Sequence, residues 1–462
     1  MVPSAWFQNH SRSLFAILGI NHTQTVPQAE ALHHVATQYL ELAQVATINI
    51  GLETLNTYIQ SIMKAMEDPI FFNFDVKIRD SYSVWKRIDS TDVKILEGLS
   101  LLGPRNLALL AKHLDMPTTT VRYRVQRMLE DSILFLHLNP YHTNMGLKKA
   151  VIFVEAVQGY EDVLLDCLRV NGFGVFLCRI FGPYEGCGGV WTIPKENDKD
   201  FESFLQSLLN LGVAKSYDIN WTTCHEGIPV RSRWFNIEEN SWTFNWNEWV
   251  KEVETIEGGL PWTLIEPNDW PIKVDYEDLL IIKELEIDGR KSLTDISKKL
   301  SISLEKLKYH FREHVSKRGL IEGYQVEIAR FPILFSDYLF FKFEFDSYEK
   351  FTKFALSLKD KPFPTFIGKV LGENALIAHI YLPKLEFRKF IESLSSLIKK
   401  GLLKKYSYVF QDPFLQWRMT IPYEHFHEGK WNYNGDEHME ELRKILEKYA
   451  SLSKFNVHYG NS

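Results

Sequence analysis

Apolar residues recur at three- and four-residue spacing through Val93, Leu96 and Leu99, and again through Leu107, Leu110 and Leu114, with Gly103-Pro104 between the two runs. Such spacing puts the apolar side chains on one stripe of a helix, and Gly-Pro ends a helix. Met116-Pro117 followed by Thr118-Thr119-Thr120 supplies a turn with hydroxyl caps and predicts a third helix over residues 119–130. Val121, Val125, Met128 and Leu129 form its apolar stripe, and Arg122, Tyr123, Gln126 and Arg127 fall on the free face. Three short helices, the last capped and cationic outside, make the helix-turn-helix pattern. The period then changes. Residues 149–156 read as a strand, 161–170 as a helix and 175–181 as a strand. A glycine-rich turn through Gly182, Gly186, Gly188 and Gly189 follows, then a strand over 190–193, a helix over 200–211 and a strand over 214–221. The order βαββαβ is the ferredoxin-like split unit.

This pattern occurs twice. Ile88-Asp89-Ser90-Thr91-Asp92 through Leu96 returns 186 positions later as Val274-Asp275-Tyr276-Glu277-Asp278 through Ile282. The same offset pairs Gly103 with Gly289, Lys112 with Lys298, Val121 with Leu307 and Tyr123 with Tyr309. Further on the offset drifts to 189, where Trp191-Thr192-Ile193-Pro194-Lys195 matches Ile380-Tyr381-Leu382-Pro383-Lys384, as a few insertions would produce. Several matches in one order establish a duplication. The predicted fold class is therefore α+β: two copies of a winged helix-turn-helix plus a ferredoxin-like (βαββαβ) domain, preceded by an α-helical N-terminal extension. In that extension residues 13–63 carry only Glu30, Glu41 and Glu53 as formal charges, and Ile48, Leu52, Leu55, Ile59, Ile62 and Met66 alternate spacings of four and three. That spacing is coiled-coil-like and predicts packing on the chain's own repeats or dimerisation.

Seven segments follow from this: an extension over 1–80, winged helix-turn-helix domains over 81–146 and 272–332, and ferredoxin-like ligand domains over 147–228 and 333–412. A Trp-rich connector fills 229–271, and a C-terminal extension covers 413–462. The connector region holds Trp234, Trp242, Trp246, Trp249, Trp262 and Trp270. Glu238, Glu239, Glu252, Glu254 and Glu257 among them oppose a phosphate track, so the tryptophans read as packing.

The chain of 462 residues has 53 Lys+Arg against 59 Asp+Glu, a net charge of −6 that excludes a uniformly basic nucleic-acid coat but not a local basic face. Four cysteines without C-x-x-C spacing exclude a disulfide framework and a thiolate zinc site. The longest early apolar run, residues 14–20, is too short to span a bilayer. A soluble cytoplasmic chain is expected, with no membrane partner. His425-x-His427, with Glu424, Glu428 and His438, lacks the second close pair that a tetrahedral metal set needs. No metal and no cofactor are therefore expected.

The Ile88–Leu96 opening, the T-T-V-x-x-x-V-x-x-M run from Thr119, the turn Gly182-Pro183-Tyr184-Glu185 and Gly319-Leu320-Ile321-Glu322-Gly323-Tyr324 resemble segments of the Lrp/AsnC (feast/famine) transcriptional regulators. The resemblance covers residues 88–226 and 274–410. It departs from the family at Asp131-Ser132-Ile133-Leu134, where a glycine is usual, and at Glu185, which replaces an aspartate. It implies a transcriptional regulator that is not an enzyme, with double-stranded DNA as partner and a small effector such as an amino acid. The family's pairing of ligand domains would be met by an intrachain pseudo-dimer or a homodimer. Thr118, Thr119, Thr120, Arg122, Tyr123, Arg124, Gln126 and Arg127 then become DNA contacts of the first copy, and Lys306, Lys308, Tyr309 and Arg312 those of the second. Gly182, Tyr184, Glu185, Gly186 and Gly188, with Gly372 and Asn374 of the second copy, become the effector turns, where glycines let backbone N–H groups approach a carboxylate. A rival reading exists on the same plan. Tetrapyrrole decarboxylases of the siroheme-to-haem branch resemble these regulators, and would use His225, Arg231, His379 and Arg388 as proton donor and carboxylate anchors. A ligand sensor that does not bind DNA is the third reading.

Overall fold

The computed structural model describes residues 88–130, 134–236, 238, 241–328 and 336–459. The chain divides into units Met1–Val84 and Trp85–Ser462, and all described residues belong to the second. The predicted N-terminal extension and the substituted glycine position within 131–133 lie outside the described residues.

The first half begins with α1 (Ser90–Leu102), α2 (Leu107–His113) and α3 (Thr118–Glu130). The repeated D-x-x-D has a local cause. Asp89 caps α1 by accepting from the Asp92 N–H, and the Asp92 carboxylate accepts from the Asp89 N–H, closing a capping box. Strand β1 (Leu134–Pro140) follows, then β2 (Leu147–Ala156), α4 (Glu161–Arg169), β3 (Gly174–Phe181), β4 (Gly186–Pro194), α5 (Asp198–Asn210) and β5 (Ala214–Thr222). After β5 come the short strands β6 (Glu226–Gly227), β7 (Phe235–Asn236) and β8 (Ser241–Trp242), and then helix α6 (Trp246–Thr255).

The second half repeats the order with α7 (Tyr276–Ile287), α8 (Leu293–Leu300) and α9 (Leu304–Tyr309), which continues as a π-helix over His310–Ser316. Asp275 and Asp278 close the same capping box on α7. Next come β9 (Ile321–Ile328), β10 (Ser336–Glu344), α10 (Tyr348–Leu358), β11 (Pro364–Lys369), β12 (Ala375–Pro383), α11 (Lys384–Lys399) and β13 (Lys405–Arg418). The tail adds β14 (Phe426–His427), β15 (Lys430–Trp431) and α12 (Gly435–Tyr459). Helix and strand mix throughout, so the fold is α+β.

The halves interlock. One nine-stranded sheet runs β5-β2-β4-β3-β13-β10-β12-β11-β6: four strands of the first half join four of the second where β3 pairs antiparallel with β13, and β6 of the first half adds the ninth. Its last strand, β6, follows the first, β5, within a few residues, and Thr222 bridges Val370, so the ladder closes on itself. A separate antiparallel pair joins β1 to β9. The tails cross over. Helix α6 packs on α10 and α11 of the second half, and α12 packs on α4 and α5 of the first, where the Tyr449 hydroxyl donates to Asp166.

Side chains alternate across these strands. Val151, Phe153, Cys178, Ile180, Val190, Phe340, Ile377 and Val409 form an apolar core inside the closed ladder. Leu339, Phe341, Phe343, Leu376 and Ala378 point the other way, into the core beneath α10 and α11 that Trp246 and Trp249 complete. Those two tryptophans are buried, with indole N–H groups donating to Glu386 and Ser357. These two connector tryptophans serve packing, whereas Trp262 is exposed.

The predicted glycine-rich turn is shorter than the sequence indicates. Gly186, Gly188 and Gly189 lie within β4, and only 182–185 form the turn. The reason is steric: a Cβ on Gly186 would lie 1.9 Å from the Val154 carbonyl oxygen, and one on Gly189 would lie 2.1 Å from that of Phe176. These glycines let neighbouring strands approach.

Gly189→Ala should therefore cost about 1–3 kcal/mol or more, because backbone rather than a movable side chain is struck. Gly259→Ala, where a Cβ meets nothing within 4 Å, should leave stability unchanged. Urea unfolding of both variants checks this, and equal midpoints would contradict it.

Candidate functional site at the seam between the halves

Helix α3 presents its predicted DNA-reading residues unevenly. Arg122, Tyr123 and Thr119 are exposed, and Thr118 and Thr120 are half-buried beside them. Arg124 turns back to donate to both oxygens of Asp89, at 2.8 and 2.7 Å, and to Asp92 at 3.0 Å. Arg127 pairs with the fully buried Asp92 at 2.5 Å. Gln126 donates to Glu130 and accepts from Arg290. Two of the three arginines thus tie α3 to the capping box of α1. In the second half Lys308 and Tyr309 are exposed, Lys306 pairs with Glu277 at 2.5 Å, and Arg312 pairs with Glu313.

The predicted effector turns are occupied from within. Gly182 takes a positive φ of 128° and Glu185 is exposed, while Tyr184 packs against the inner core, where burial pushes its hydroxyl up to about 12. Gly186 and Gly188 are strand residues. In the second half the Gly372 N–H donates to both carboxylate oxygens of Glu266 at 3.1 Å, and the Asn374 carbonyl accepts from Phe345. That turn already holds a carboxylate, supplied by the chain itself.

The densest concentration of buried titratable groups lies where the halves meet. The His379 imidazole, on the inner face of β12, shares hydrogen bonds with Thr365 at 2.6 Å and with Gln411 at 2.8 Å. His225 stacks on Phe366 with centroids 4.4 Å apart, Phe366 stacks on His379, and Tyr338 flanks the latter. On the β1–β9 pair, His137 lies 3.3 Å from Gln325, and Arg418 lies 3.4 Å from both His137 and Glu327. Lys149, on the inner face of β2, pairs with Glu322 at 3.3 Å. His142 is buried, and neither of its ring nitrogens has a hydrogen-bond partner among the described residues.

Burial sets the protonation of these groups. Desolvation depresses His137 and His379 to about 4, with the Arg418 charge adding to the effect at His137. It lowers His142 and His225 as well, with Lys149 reinforcing it. The same desolvation raises Glu286, which lies on α7 and accepts from the Ile421 N–H at 2.9 Å, to about 8, and Glu322 to about 7, against the opposing pull of nearby cations. Glu327 is held low, because His137 and Arg418 outweigh its burial. Near neutral pH the seam thus offers neutral imidazoles, carboxyls able to give or take a proton, and two cations. Perturbed groups of this kind concentrate at functional sites.

A second cluster was missed by the sequence reading. Asp275, Asp278, His310 and His314 bring donor atoms within 4.8 Å of one another at the start of α7 and in the π-helix that continues α9. The signal was present as Asp-x-x-Asp and His-x-x-x-His, but both fell inside segments read as a helix signature and a DNA-reading helix. Two of the histidines weighed there do otherwise: His425 stacks on Phe173, and His438 packs edge-on to Phe204 and Tyr433.

Of the four rival candidates, His225 and His379 meet at the seam. Arg231 pairs instead with Glu97 at 3.6 Å, and Arg388 is 89% exposed on α11, bonded to Glu392. Sequence reasoning missed His137, His142, Lys149, Glu286, Glu322 and Arg418, because the topology rather than local spacing brings them together.

No protein-family model matches the chain. A stretch of 47 residues is 45% identical to an uncharacterised HTH-type transcriptional regulator of Pyrococcus furiosus and 40% identical to one of Pyrococcus abyssi. Each match covers 10% of this chain and 31% of the relative, so the chain spans about a third of those relatives' length. This links part of the chain distantly to proteins that contain a helix-turn-helix. Among solved structures, siroheme decarboxylase NirDL is similar over 77% of this chain and 98% of its own, at 11% identity and a TM-score of 0.45. Its complex with an iron-uroporphyrin III analogue is similar over 79% and 99%, at 10% identity and the same TM-score. The expectation of a chain without enzymatic activity is corrected on one finding of the structure: a four-residue group of metal-ligating type, Asp275, Asp278, His310 and His314, is assembled in the second half. No described helix is long and apolar enough to cross a membrane.

The seam makes stability depend on pH from both sides. His137 and His379, depressed to about 4, contribute stability that is complete above about pH 6.5 and is lost as pH falls through about 4. Glu286, raised to about 8, contributes stability that is complete below about pH 4.5 and is lost as pH rises through about 8. Glu286→Gln should match the parent near pH 5 and exceed it near pH 9 in thermal melts, since the amide mimics the protonated acid. A variant destabilised equally at both values would contradict this assignment.

Proposed function

We propose that this chain is an enzyme of the tetrapyrrole-decarboxylase class, acting on an anionic macrocycle at the seam between its halves. The observation that carries the reading is the convergence there of neutral histidines with Arg418, Lys149 and two carboxyls poised near neutrality, the ring nitrogens of His142 having no hydrogen-bond partner among the described residues. A flat macrocycle with carboxylate arms needs aromatic walls, cations for the arms and a proton donor for the carbon that loses CO₂. Phe366, Tyr338 and Phe340 supply the first, and Arg418 and Lys149 the second. In the reaction R–CH₂–COO⁻ + H⁺ → R–CH₃ + CO₂, Glu286 or Glu322 in its protonated form supplies the proton, with the neutral imidazoles of His225 and His379 positioning the macrocycle. This assignment moves the acid from histidine to glutamate, because burial keeps the histidines neutral.

The same reading takes the architecture as a duplicated pair, with winged helix-turn-helix domains over 81–146 and 272–332 and ferredoxin-like domains over 147–228 and 333–412. The two halves of one chain then form the pseudo-dimer that encloses the site.

Absorbance titration of the purified protein with an iron-uroporphyrin-type tetrapyrrole should give saturable spectral shifts, and anaerobic incubation should release CO₂. Arg418→Ala should raise the apparent KM, whereas Glu322→Gln should lower kcat by about 10²–10⁴-fold if it is the acid. Absence of any spectral change with the folded protein would sink the reading.

A second reading draws on the match to HTH-type regulators: α3 and α9 contact DNA through exposed Arg122, Tyr123, Lys308 and Tyr309. Its affinity should fall steeply with salt, and Arg122→Ala should reduce that slope by about one unit. Equal retention of Arg122→Ala and parent protein on DNA at low salt would exclude α3 as the contact face.

A further inference from the structure

We propose that Asp275, Asp278, His310 and His314 bind one divalent transition-metal ion of the zinc class, in a closed tetrahedral site that pins α9 to the start of α7. The proposal does not rest on the tetrapyrrole reading.

The geometry comes first. His310 Nδ1 lies 3.4 Å from Asp275 Oδ1 and 2.9 Å from Asp278 Oδ1. His314 Nδ1 lies 3.1 Å from Asp275 Oδ2 and 3.2 Å from Asp278 Oδ1. Zinc binds imidazole nitrogen and carboxylate oxygen at about 2.0–2.2 Å, which places tetrahedral donors roughly 3.3 Å apart. The two edges to Asp278 Oδ1, 2.9 and 3.2 Å, lie just under that value, Asp275 turns one oxygen to each imidazole, and one donor atom from each of the four residues lies within 4.8 Å of the others. Two nitrogens and two oxygens suit a borderline divalent ion better than calcium or magnesium, which prefer oxygen alone. Four protein ligands leave no open position, which is the mark of a structural site.

Both carboxylates are oriented by backbone donors. Asp275 accepts from the Asp278 N–H at 3.0 Å, and Asp278 accepts from the Asp275 N–H at 3.1 Å. Such outer contacts fix ligands in place. The positive end of α7 opposes a cation, but it amounts to about half a charge against two carboxylates.

The duplication supplies an independent comparison within the same molecule. In the first half the equivalent carboxylates, Asp89 and Asp92, are met by the guanidinium groups of Arg124 and Arg127, two permanent positive charges. In the second half the places of those arginines are taken by histidines, which carry charge only when protonated. The spacing differs too: three residues separate the arginines and four the histidines, and the π-helix over His310–Ser316 absorbs the extra residue. One insertion and two replacements thus convert a double ion pair into a four-donor set. Arg318, 3.9 Å from Asp278 and partly exposed, and the Lys306–Glu277 pair are the other charges beside it. A divalent cation restores the two charges that the arginines provide in the first half.

Elemental analysis of the full chain, stripped with chelator and reloaded with zinc, tests the proposal. One zinc per chain is expected, and cobalt should give the intense visible bands of tetrahedral coordination. His310→Arg/His314→Arg, which imitates the first half, should fold by circular dichroism yet lose both signals, and Asp278→Asn should weaken them. Chelation should lower the melting temperature of the parent protein and leave that of the double-arginine variant unchanged. Folded parent protein holding well below one zinc per chain, or a double-arginine variant binding as much as the parent, would overturn the proposal.

Discussion

Everything at the seam depends on one requirement, that backbone N–H and C=O groups at strand edges find partners. Neither four-stranded half meets it alone. The edge of β3 is satisfied by β13 and the edge of β11 by β6, so each half finishes the other's hydrogen bonding. The β1–β9 pair does the same for the strands that leave the helical segments. The crossed tails, α6 on the second half and α12 on the first, then cover the outer faces. The halves therefore behave as one folding unit with an interior that neither could enclose separately.

That shared interior decides the chemistry. Strand alternation turns Val151, Phe153, Phe340 and Ile377 inward, and at one end of the same faces places Lys149, His379 and Gln411. Polar groups forced into a low-dielectric interior must be paired or lose their charge. Lys149 finds Glu322 and His379 finds Thr365 and Gln411, whereas His142 finds nothing among the described residues. The same logic runs through the helical segments. A capping box delivers two carboxylates to each helical segment, and arginine answers them in one half and histidine in the other.

The element order and most element boundaries were legible in the sequence, because helix periodicity, caps and strand alternation are local. Helix α3 was placed to within one residue, and the D-x-x-D signature proved to be a capping box. The glycine-rich run was misplaced because glycine signals close approach as readily as a turn, and only the neighbouring strand reveals which. His137, Lys149 and Arg418 could not be grouped from spacing, since they belong to strands that meet only through the topology. The His-x-x-x-His pair was visible and passed over, because its partners lie more than thirty positions upstream.

The β1–β9 ladder also has a consequence for synthesis. Its partners, such as His137 and Gln325, are 188 positions apart. At about 5–20 residues per second, the first half leaves the ribosome roughly ten to forty seconds before its pairing strand exists. During that interval the edges of β1 and β3 stand open to any other nascent chain, including another copy of this one. Carrying both halves on one chain limits that wait to a single passage of the ribosome, where two separate chains would have to find each other by diffusion.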